Sequence, residues 1–416
     1  MQAIDAARLS ALATQYGTPL WVYDAASIRQ RIADLRQFDT IRFAQKACSN
    51  THILRLMREL GVAVDAVSVG EIERALHAGY TTAGEVSGIV FTADLIDRPT
   101  LANVIEHKIP VNAGSIDMLE QLGAQAPGHP VWLRINPGFG HGHSQKTNTG
   151  GEQSKHGIWH ADLPKALERI RRHRLHLIGI HMHIGSGVDY GHLAQVCDAM
   201  AKLVIGMGHD IEAISAGGGL SIPYRADEAP IDTAHYFSLW DAARKQVEAH
   251  LGHPVRLEIE PGRYLVAESG SLLAEVRAVK DMGSNRFVLV DAGFNDLMRP
   301  ALYGAYHEMS TIPAAGSEAV ARPLRDVVVA GPLCESGDVF TQEDGGTVTQ
   351  RRLPDPQLGD LIVFHDTGAY GASMSSNYNS RPLTAEVLID GDTARLIRRR
   401  QTMAELLALE EFPSPT

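Results

Sequence analysis

Strand-like and amphipathic helical segments alternate regularly from about Ala25 to Ser269. Continuous apolar runs are typical of buried parallel strands, and apolar residues three or four positions apart are typical of helices that cover such a sheet. The strand-like runs are Arg42–Cys48, Ala63–Val69, Gly88–Thr92, Ile109–Ala113, Pro130–Asn136, Leu177–Ile184, Ile211–Ala216 and Val255–Ile259. Eight such units over roughly 240 residues predict a closed parallel (β/α)8 barrel of TIM type, with its active site at the carboxyl ends of the strands. An open doubly wound sheet is the alternative.

The pattern changes after Ser269, where β-rich runs follow one another without regular helices. These runs are Leu272–Val279, Phe287–Val290, Asp326–Ala330, Asp360–Phe364, Ala385–Ile389 and Ala394–Ile397. The early apolar run Pro19–Tyr23 precedes the barrel repeats and needs a sheet to join, so we expect it to pair within this second region. The sequence therefore predicts an α/β protein with two domains. A barrel spans residues 25–268, and an all-β domain is formed by residues 1–24 and 269–416.

Composition narrows the possible partners. The 416 residues include 38 Lys and Arg against 49 Asp and Glu, a net charge of −11, which argues against binding to nucleic acid or to an anionic membrane surface. The N-terminus has no apolar leader, and no uncharged run approaches the ~18 residues of a membrane helix. Cys48, Cys197 and Cys334 are widely separated, as in proteins of a reducing compartment. We expect a cytoplasmic enzyme that acts on a small molecule.

Polar residues follow most of the predicted strands, where a packed barrel has no structural need for them. They are Lys46 at the end of the first strand, Asp65 on the second, His181, His183 and Ser186 at the end of the sixth, Gly217–Gly219 after the seventh and Glu260–Arg263 after the eighth. Each is ordinary by itself, since core histidines, turn glycines and surface ion pairs are common. In a closed barrel, however, all of them face one mouth.

This combination suits a phosphate-bearing aromatic aldehyde. A lysine amine forms a Schiff base with an aldehyde, consecutive glycines let backbone N–H groups approach a phosphate, and a carboxylate keeps a pyridine nitrogen protonated. Lys46, Gly217–Gly219 and Glu260 would take these parts. The sequence thus predicts pyridoxal 5'-phosphate as cofactor.

Metal binding is the competing interpretation of the histidines. His181 and His183 alternate as metal ligands do on the barrel strands of hydrolases, and the glycine-rich loop 138–157 carries His141, His143 and His156. Hydrolase sites need further histidines and an aspartate at other strand ends, and no carboxylate or cysteine has a ligand-like spacing to the loop histidines. We therefore predict no metal.

The motifs together resemble one family, the fold-type III pyridoxal-phosphate-dependent decarboxylases, from about Trp21 to the last helix. The matching stretches are Phe43-Ala-Gln-Lys46-Ala47, His181-Met-His-Ile-Gly-Ser186, Gly217-Gly-Gly219, Glu260-Pro-Gly-Arg263, Gly331-Pro-Leu-Cys334-Glu335-Ser336 and Gly368-Ala-Tyr370. Cys48 replaces the asparagine of many relatives, and His156 replaces their phenylalanine. Neither position belongs to the implied cofactor set.

The resemblance implies roles for individual residues. The cofactor would bind covalently to Lys46, stack on His183 and pair its ring nitrogen with Glu260. The remaining implied cofactor residues are Asp65, Ser186, Gly217, Gly218, Gly219 and Tyr370, and the implied substrate residues are Arg263, Arg299, Tyr303, Glu335 and Tyr370. Cys334 and Glu335 are expected to come from a second subunit, which makes the functional unit a homodimer with shared active sites.

The implied reaction is decarboxylation of meso-2,6-diaminopimelate to L-lysine and CO2, the last step of lysine biosynthesis, with the final proton from Cys334, Lys46 or water. A decarboxylase of ornithine, arginine or lysine is an alternative, although it should have an acidic residue in place of the Arg299 and Tyr303 pair. A racemase of the same fold would have arginine where this chain has Glu260. A non-catalytic pyridoxal-phosphate carrier would lack the β-domain.

Overall fold

The structure is a computed structural model that describes residues 4–140, 150–183, 185, 187, 189–314 and 322–410. The chain forms two compact units. One comprises residues 30–222 and 230–265, and the other comprises residues 1–29, 223–229 and 266–416. In the described part of the chain, no helix is both long and apolar enough to cross a membrane.

The helices and strands are as follows. The helices are α1 (Ala6–Tyr16), α2 (Ala25–Ala33), α3 (Thr51–Glu59), α4 (Val69–His77), α5 (Arg98–Glu106), α6 (Ile116–Gln125), α7 (Leu163–His173), α8 (Tyr190–Gly206), α9 (Thr233–Leu251), α10 (Arg263–Val266), α11 (Arg299–Tyr303) and α12 (Met403–Leu407). The strands are β1 (Leu20–Asp24), β2 (Thr40–Ala44), β3 (Ala63–Ala66), β4 (Ile89–Ala93), β5 (Val111–Ala113), β6 (Pro130–Asn136), β7 (Ile158–Trp159), β8 (His176–His181), β9 (Ala213–Ser215), β10 (Arg256–Ile259), β11 (Gly270–Met282), β12 (Asn285–Val290), β13 (Met309–Ile312), β14 (Leu324–Ala330), β15 (Arg351–Pro354), β16 (Leu361–Phe364), β17 (Ala385–Asp390) and β18 (Thr393–Arg398).

The first unit is a closed parallel barrel. Its ring runs β2, β3, β4, β5, β6, β8, β9 and β10, and the parallel pairing of β10 with β2 closes it. The two-residue strand β7 pairs outside the ring with β6. The predicted barrel is confirmed, and each of its eight strands overlaps a run identified in the sequence. The first strand is shorter than expected, because it ends at Ala44 and Lys46 lies in the following 3-10 turn, Gln45–Ala47.

Short polar residues start the helices that follow the barrel strands. Asn50, Ser68, Asp97 and Ser115 each accept a hydrogen bond from a backbone N–H group in the first turn of α3, α4, α5 and α6, respectively. Such a cap satisfies one of the unpaired donors of a helix terminus and stabilises the helix by about 1 kcal/mol. The carboxyl ends of these strands therefore pass into helices over short, well-defined turns.

The second unit is built on a nine-stranded mixed sheet. Its strand β1 pairs antiparallel with β11 and parallel with β17, so the early strand joins the C-terminal sheet as expected. Apolar residues of α1, including Leu9 and Leu12, pack against Leu20, Val22 and Leu273 of this sheet. Strands β13 and β15 were not predicted. Their sequences, Met-Ser-Thr-Ile and Arg-Arg-Leu-Pro, are short and partly polar, and their pairing partners determine their conformation.

Gly179 of β8 provides a test of how tightly the barrel is packed. A Cβ atom there would collide with the carbonyl of Ala213 on β9 and lie 2.7 Å from the Trp132 ring. We expect Gly179→Ala to lower the free energy of unfolding by about 2–3 kcal/mol, as overpacked core substitutions do. Gly206→Ala is the matched control, because no atom lies within 4 Å of its added Cβ and alanine favours a helix. Urea unfolding followed by circular dichroism measures both, and equal stability of the two variants would contradict the packing argument.

Candidate active site

Four of the predicted chemical groups lie at the carboxyl ends of barrel strands. Lys46 is exposed in the turn after β2, Asp65 is buried in β3, His181 is the last residue of β8, and Glu260 directly follows β10. Because the ring is parallel and closed, these strand ends share one edge of the barrel. The positive charge of Lys46 acts on Asp65 and on Glu71.

Glu260 is a buried carboxylate that the protein keeps ionised. Its Oε2 atom lies 2.8 Å from Nε2 of His181, and its Oε1 atom accepts a hydrogen bond of 3.2 Å from the hydroxyl of Ser215. Burial by itself would raise the pKa of Glu260, but the charge and hydrogen bond of His181, together with the charges of Arg42 and Arg134, hold it below its usual value. A negative charge therefore persists at the end of β10.

The pKa of Asp65 is shifted upward, in the opposite direction to that of Glu260. Burial and the negative charge of Glu260 raise its pKa well above the usual value for aspartate. Its Oδ1 atom is buried and has no hydrogen-bond partner among the residues that the structure describes. Two neighbouring carboxyl groups with pKa values shifted apart are typical of sites that need one charged and one protonated acid.

His183 is held as a neutral ring. Its Nδ1 atom accepts a hydrogen bond of 2.9 Å from the backbone N–H of Gly218, so that nitrogen carries no proton. Burial and the charges of Arg134 and Lys46 lower the pKa of His183 well below its usual value. Its ring centroid lies 6.5 Å from that of His181, with a tilt of 33°.

The three glycines of 217–219 are needed for close packing. Gly217 has a φ of +61°, and a Cβ on it would lie 2.6 Å from the carbonyl oxygen of Met182. A Cβ on Gly218 would lie 2.5 Å from the carbonyl oxygen of Glu260. The N–H groups of Gly217 and Gly218 donate to Ser215 and His183, so these two donors are engaged within the protein. The expected phosphate contacts of the three glycines stay a prediction.

The sequence analysis did not identify two groups that surround Glu260, Arg134 and Ser215. Arg134 is buried in β6 and interacts electrostatically with Glu260, Asp65 and Asp94. His181 was predicted at the barrel mouth, but no role beside Glu260 was assigned to it. Arg134 could have been noticed in the sequence, because a charged residue inside the apolar run Pro130–Asn136 needs partners when it is buried. Ser186 lies outside the described residues.

The base of the glycine-rich loop is fixed by two side chains. The Asn136 amide accepts from the N–H groups of Gly138 and Gly151 and donates to the carbonyls of Gly151 and His156. Oδ2 of Asp94 lies 2.5 Å from Nδ1 of His156, and Oδ1 of Asp94 accepts a hydrogen bond of 2.8 Å from the N–H of Gly157. These bonds lower the pKa of Asp94 although its burial opposes that shift. His141 and His143 lie outside the described residues.

Arg263 lies at the start of α10 in the barrel unit, and the second unit carries the other remaining predicted residues. Arg299, at the start of α11, is 6% exposed, whereas Tyr303, at the end of that helix, is 37% exposed. Cys334 and Glu335 are both exposed on the turn after β14. The buried Asp338 shapes this turn, because its carboxylate accepts the N–H groups of Leu333 and Phe294. Asp338 was not predicted.

Tyr370 has an unusual backbone conformation. Its φ is +57°, a left-handed conformation that costs a non-glycine residue energy. Glycines on both sides allow the chain to pack tightly there. A Cβ on Gly368 would collide with the carbonyl of Val266, and one on Gly371 would lie 2.5 Å from the Trp21 ring. Strain of this kind persists where surrounding packing over-determines the backbone, which is common at functional sites.

Comparisons with known proteins identify the family. Residues 25–267 match the family model described as pyridoxal-dependent decarboxylase, pyridoxal binding domain. The diaminopimelate decarboxylase of Escherichia coli K12 is 67% identical over 407 residues, covering 98% of this chain and 97% of that protein. The chain belongs to the pyridoxal-dependent decarboxylases, among the diaminopimelate decarboxylases.

Solved structures of this family have the same fold. A crystal structure of diaminopimelate decarboxylase has a TM-score of 0.95 at 67% identity, covering 97% of this chain and 96% of that one. The Helicobacter pylori enzyme complexed with L-lysine has a TM-score of 0.84 at 31% identity, covering 97% of this chain and 99% of that one. The predicted family, fold and carboxy-lyase class are confirmed, and diaminopimelate decarboxylation holds over the racemase and the other amino-acid decarboxylases.

The residues present fit the cofactor of this family. The site offers an exposed amine on Lys46, a charged carboxylate on Glu260 and a neutral ring on His183. The buried Oδ1 of Asp65, without a partner among the described residues, is a further polar atom for which a ligand could supply a partner. Lys46 would hold the aldehyde, and Glu260 would face the ring nitrogen.

The lowered pKa of His183 predicts a pH dependence of stability. The unfolded chain takes up a proton on this histidine below about pH 6.5, whereas the folded chain does not. Stability is therefore lost as the pH falls below 6.5 toward the folded pKa. In His183→Gln we expect the slope of unfolding free energy against pH to be shallower by ~1.4 kcal/mol per pH unit in this range.

Urea unfolding at closely spaced pH values below neutrality measures this slope. His129→Gln serves as a reference, because burial also lowers the pKa of His129. An unchanged slope in His183→Gln alone would show that His183 is protonated in the folded chain.

Proposed function

We propose that this chain removes the carboxylate of the D-centre of meso-2,6-diaminopimelate, yielding L-lysine and CO2, with pyridoxal 5'-phosphate held by the barrel residues described above. The observation that carries the proposal is the buried Glu260 carboxylate, which His181, Arg42 and Arg134 keep charged. A fixed negative charge is what a protonated pyridine nitrogen requires as its partner.

The chain's own groups divide the work. Lys46 supplies the amine that binds the cofactor aldehyde, and the neutral His183 offers a flat ring surface. When bound, the cofactor supplies an electron-withdrawing ring that stabilises the electron pair left on the α-carbon as CO2 departs. Ser186, Gly217–Gly219 and Tyr370 are assigned to the phosphate. Burial and the charge of Glu260 raise the pKa of Asp65, which favours its protonated form near Lys46.

Substrate choice is assigned to the arginines. Arg263 and Arg299, with Tyr303, would bind the carboxylate that is not lost, because a guanidinium presents paired N–H groups that match a carboxylate. Glu335 and Tyr370 would contact the substrate's amino and carboxylate groups. A monocarboxylic amino acid such as ornithine lacks this second carboxylate and gains nothing from the arginines.

We assign the final proton to the Cys334 thiol of a partner subunit in a homodimer. Its S–H proton passes to the α-carbon, which carries the electron pair of the broken C–C bond, and water then reprotonates the thiolate. The support is that Cys334 and Glu335 are exposed on a turn that the Asp338 carboxylate shapes. We place the enzyme in the cytoplasm because its three cysteines form no disulfide.

Lys46→Ala tests the covalent assignment. We expect kcat to fall by about 10³-fold or more, since a nucleophilic lysine has no substitute in the site. Borohydride reduction followed by peptide mass spectrometry should place a pyridoxyl group on Lys46 in the wild type and on no lysine in the variant. Lys46→Arg is the control, because it retains a positive charge beside Asp65 without a reactive amine. Retained turnover in either variant, or a label on another lysine, would contradict the assignment.

Mixing two inactive variants tests the shared active site. Lys46→Ala and Cys334→Ala homodimers should each be nearly inactive, whereas random re-association should restore about one quarter of the wild-type activity, because half of the dimers then contain one intact site. Partial denaturation and refolding of an equimolar mixture, with CO2 release as the readout, measures this. Each variant taken alone through the same procedure is the control. If no activity returns although heterodimers are detected by native mass spectrometry, Cys334 acts in its own subunit.

A further inference from the structure

One nitrogen of the Arg299 guanidinium donates hydrogen bonds to two acceptors on other side chains. Nη1 donates to the hydroxyl of Tyr224 at 3.1 Å and to Nε2 of His307 at 3.0 Å. A guanidinium Nη carries two N–H groups, so these acceptors account for both donors of Nη1. All three residues belong to the same compact unit, although Tyr224 precedes Arg299 by 75 positions.

The tautomer of His307 follows from its second contact. Nδ1 of His307 lies 3.0 Å from the backbone carbonyl oxygen of His365, which can only accept, so Nδ1 carries the proton. In the neutral ring Nε2 is then a lone-pair acceptor aimed at Arg299. His307 is 1% exposed and lies two residues before β13, while His365 directly follows β16. The pairing of Met309 with Phe364 joins these two strands, so the sheet itself fixes the acceptor.

Tyr224 constrains the guanidinium from a second direction. The Cζ atom of Arg299 lies 4.9 Å from the centroid of the Tyr224 ring, and this ring meets His307 edge-on at 5.5 Å and 84°. The hydroxyl therefore fixes one end of the guanidinium while the ring contacts its face. Two hydrogen bonds and one ring contact define both the position and the plane of the fork.

We infer that Tyr224 and His307 are positioning residues that orient the Arg299 guanidinium for contact with the substrate carboxylate that is not lost. The inference rests on the proposed role of Arg299 in binding that carboxylate. A long side chain that must be ordered at the moment of binding costs affinity, whereas a fork fixed beforehand does not. The two residues would thereby determine specificity for substrates with a second carboxylate over monocarboxylic amino acids.

The test compares two substrates in variants of both positions. D-Lysine has the same D-centre as meso-diaminopimelate, but hydrogen replaces its distal carboxylate. Tyr224→Phe removes one hydroxyl and keeps the ring, and His307→Leu removes the acceptor. We expect each to raise KM for meso-diaminopimelate about five- to tenfold with kcat changed less than about twofold, as loss of a uniform binding contact does. D-Lysine kinetics, or its inhibition constant where turnover is too slow, should change less than about twofold.

His307→Gln supplies the conservative rescue. The Oε1 atom of glutamine reaches the position of Nε2 in histidine and restores an acceptor for Arg299, so its KM should return close to the wild-type value. A thermal melt of each variant shows whether it is folded, and Tyr224→Phe preserves the packing if His307→Leu does not fold.

Arg299→Gln separates the two hypotheses. If Arg299→Gln weakens the binding of meso-diaminopimelate and of D-lysine equally, Arg299 does not bind the distal carboxylate and the proposed role is wrong. If Arg299→Gln weakens only the binding of meso-diaminopimelate, while Tyr224→Phe and His307→Leu leave KM for it unchanged, the proposed role of Arg299 stands and the positioning inference is overturned. Failure of His307→Gln to restore KM would show that the size of the ring, and not its acceptor, is what matters.

Discussion

Closure of the barrel between β10 and β2 is the constraint on which the candidate site depends. It pairs Ile259 with Ile41, and beyond this pair the N–H of Ala44 donates to the carbonyl of Pro261. A buried ion pair supports the closure, with Nε of Arg42 2.6 Å from Oε2 of Glu258. Leaving either charge of such a pair alone in the interior costs about 3–5 kcal/mol. The pairing that closes the ring therefore also joins the two chain segments that lead to Lys46 and Glu260.

Electrostatics within the ring then gives neighbouring groups different protonation states. Glu260 stays charged because His181, Arg42 and Arg134 outweigh the cost of its burial, and that charge in turn raises the pKa of Asp65. His183 stays neutral because burial and nearby cations oppose a further positive charge. None of these states is a property of a residue in isolation. Each depends on strand ends that are distant in sequence and adjacent only after closure.

The sequence was sufficient for the features that repeat or that form motifs. Its periodicity predicted the strands of the barrel, and the strand ends pointed to Lys46 and Glu260. It could not predict β13, whose short polar sequence becomes a strand only through pairing with β16. Nor could it predict Arg134 or Asp338, because a buried charge is recognised by partners that come from other strands. The glycines of 217–219 suggested phosphate donors, yet two of their N–H groups bind Ser215 and His183. A motif indicates backbone proximity without fixing which donors are used.

The groups that set the charge of Glu260 and the groups that hold Arg299 form separate networks of contacts. Every group that sets the charge of Glu260 comes from the barrel unit, whereas Tyr224, His307 and the strands behind them come from the other unit. The orientation of Arg299 thus depends on the pairing of β13 with β16. The charge of Glu260, the expected partner of the cofactor's ring nitrogen, depends on the pairing of β10 with β2. Because contacts without shared partners contribute independently, we expect a change in the Arg299 network to leave the charge on Glu260 unaltered. Under the proposed function, the β-sheet unit would contribute Arg299 and Cys334 to a reaction whose amine and charged carboxylate come from the barrel unit.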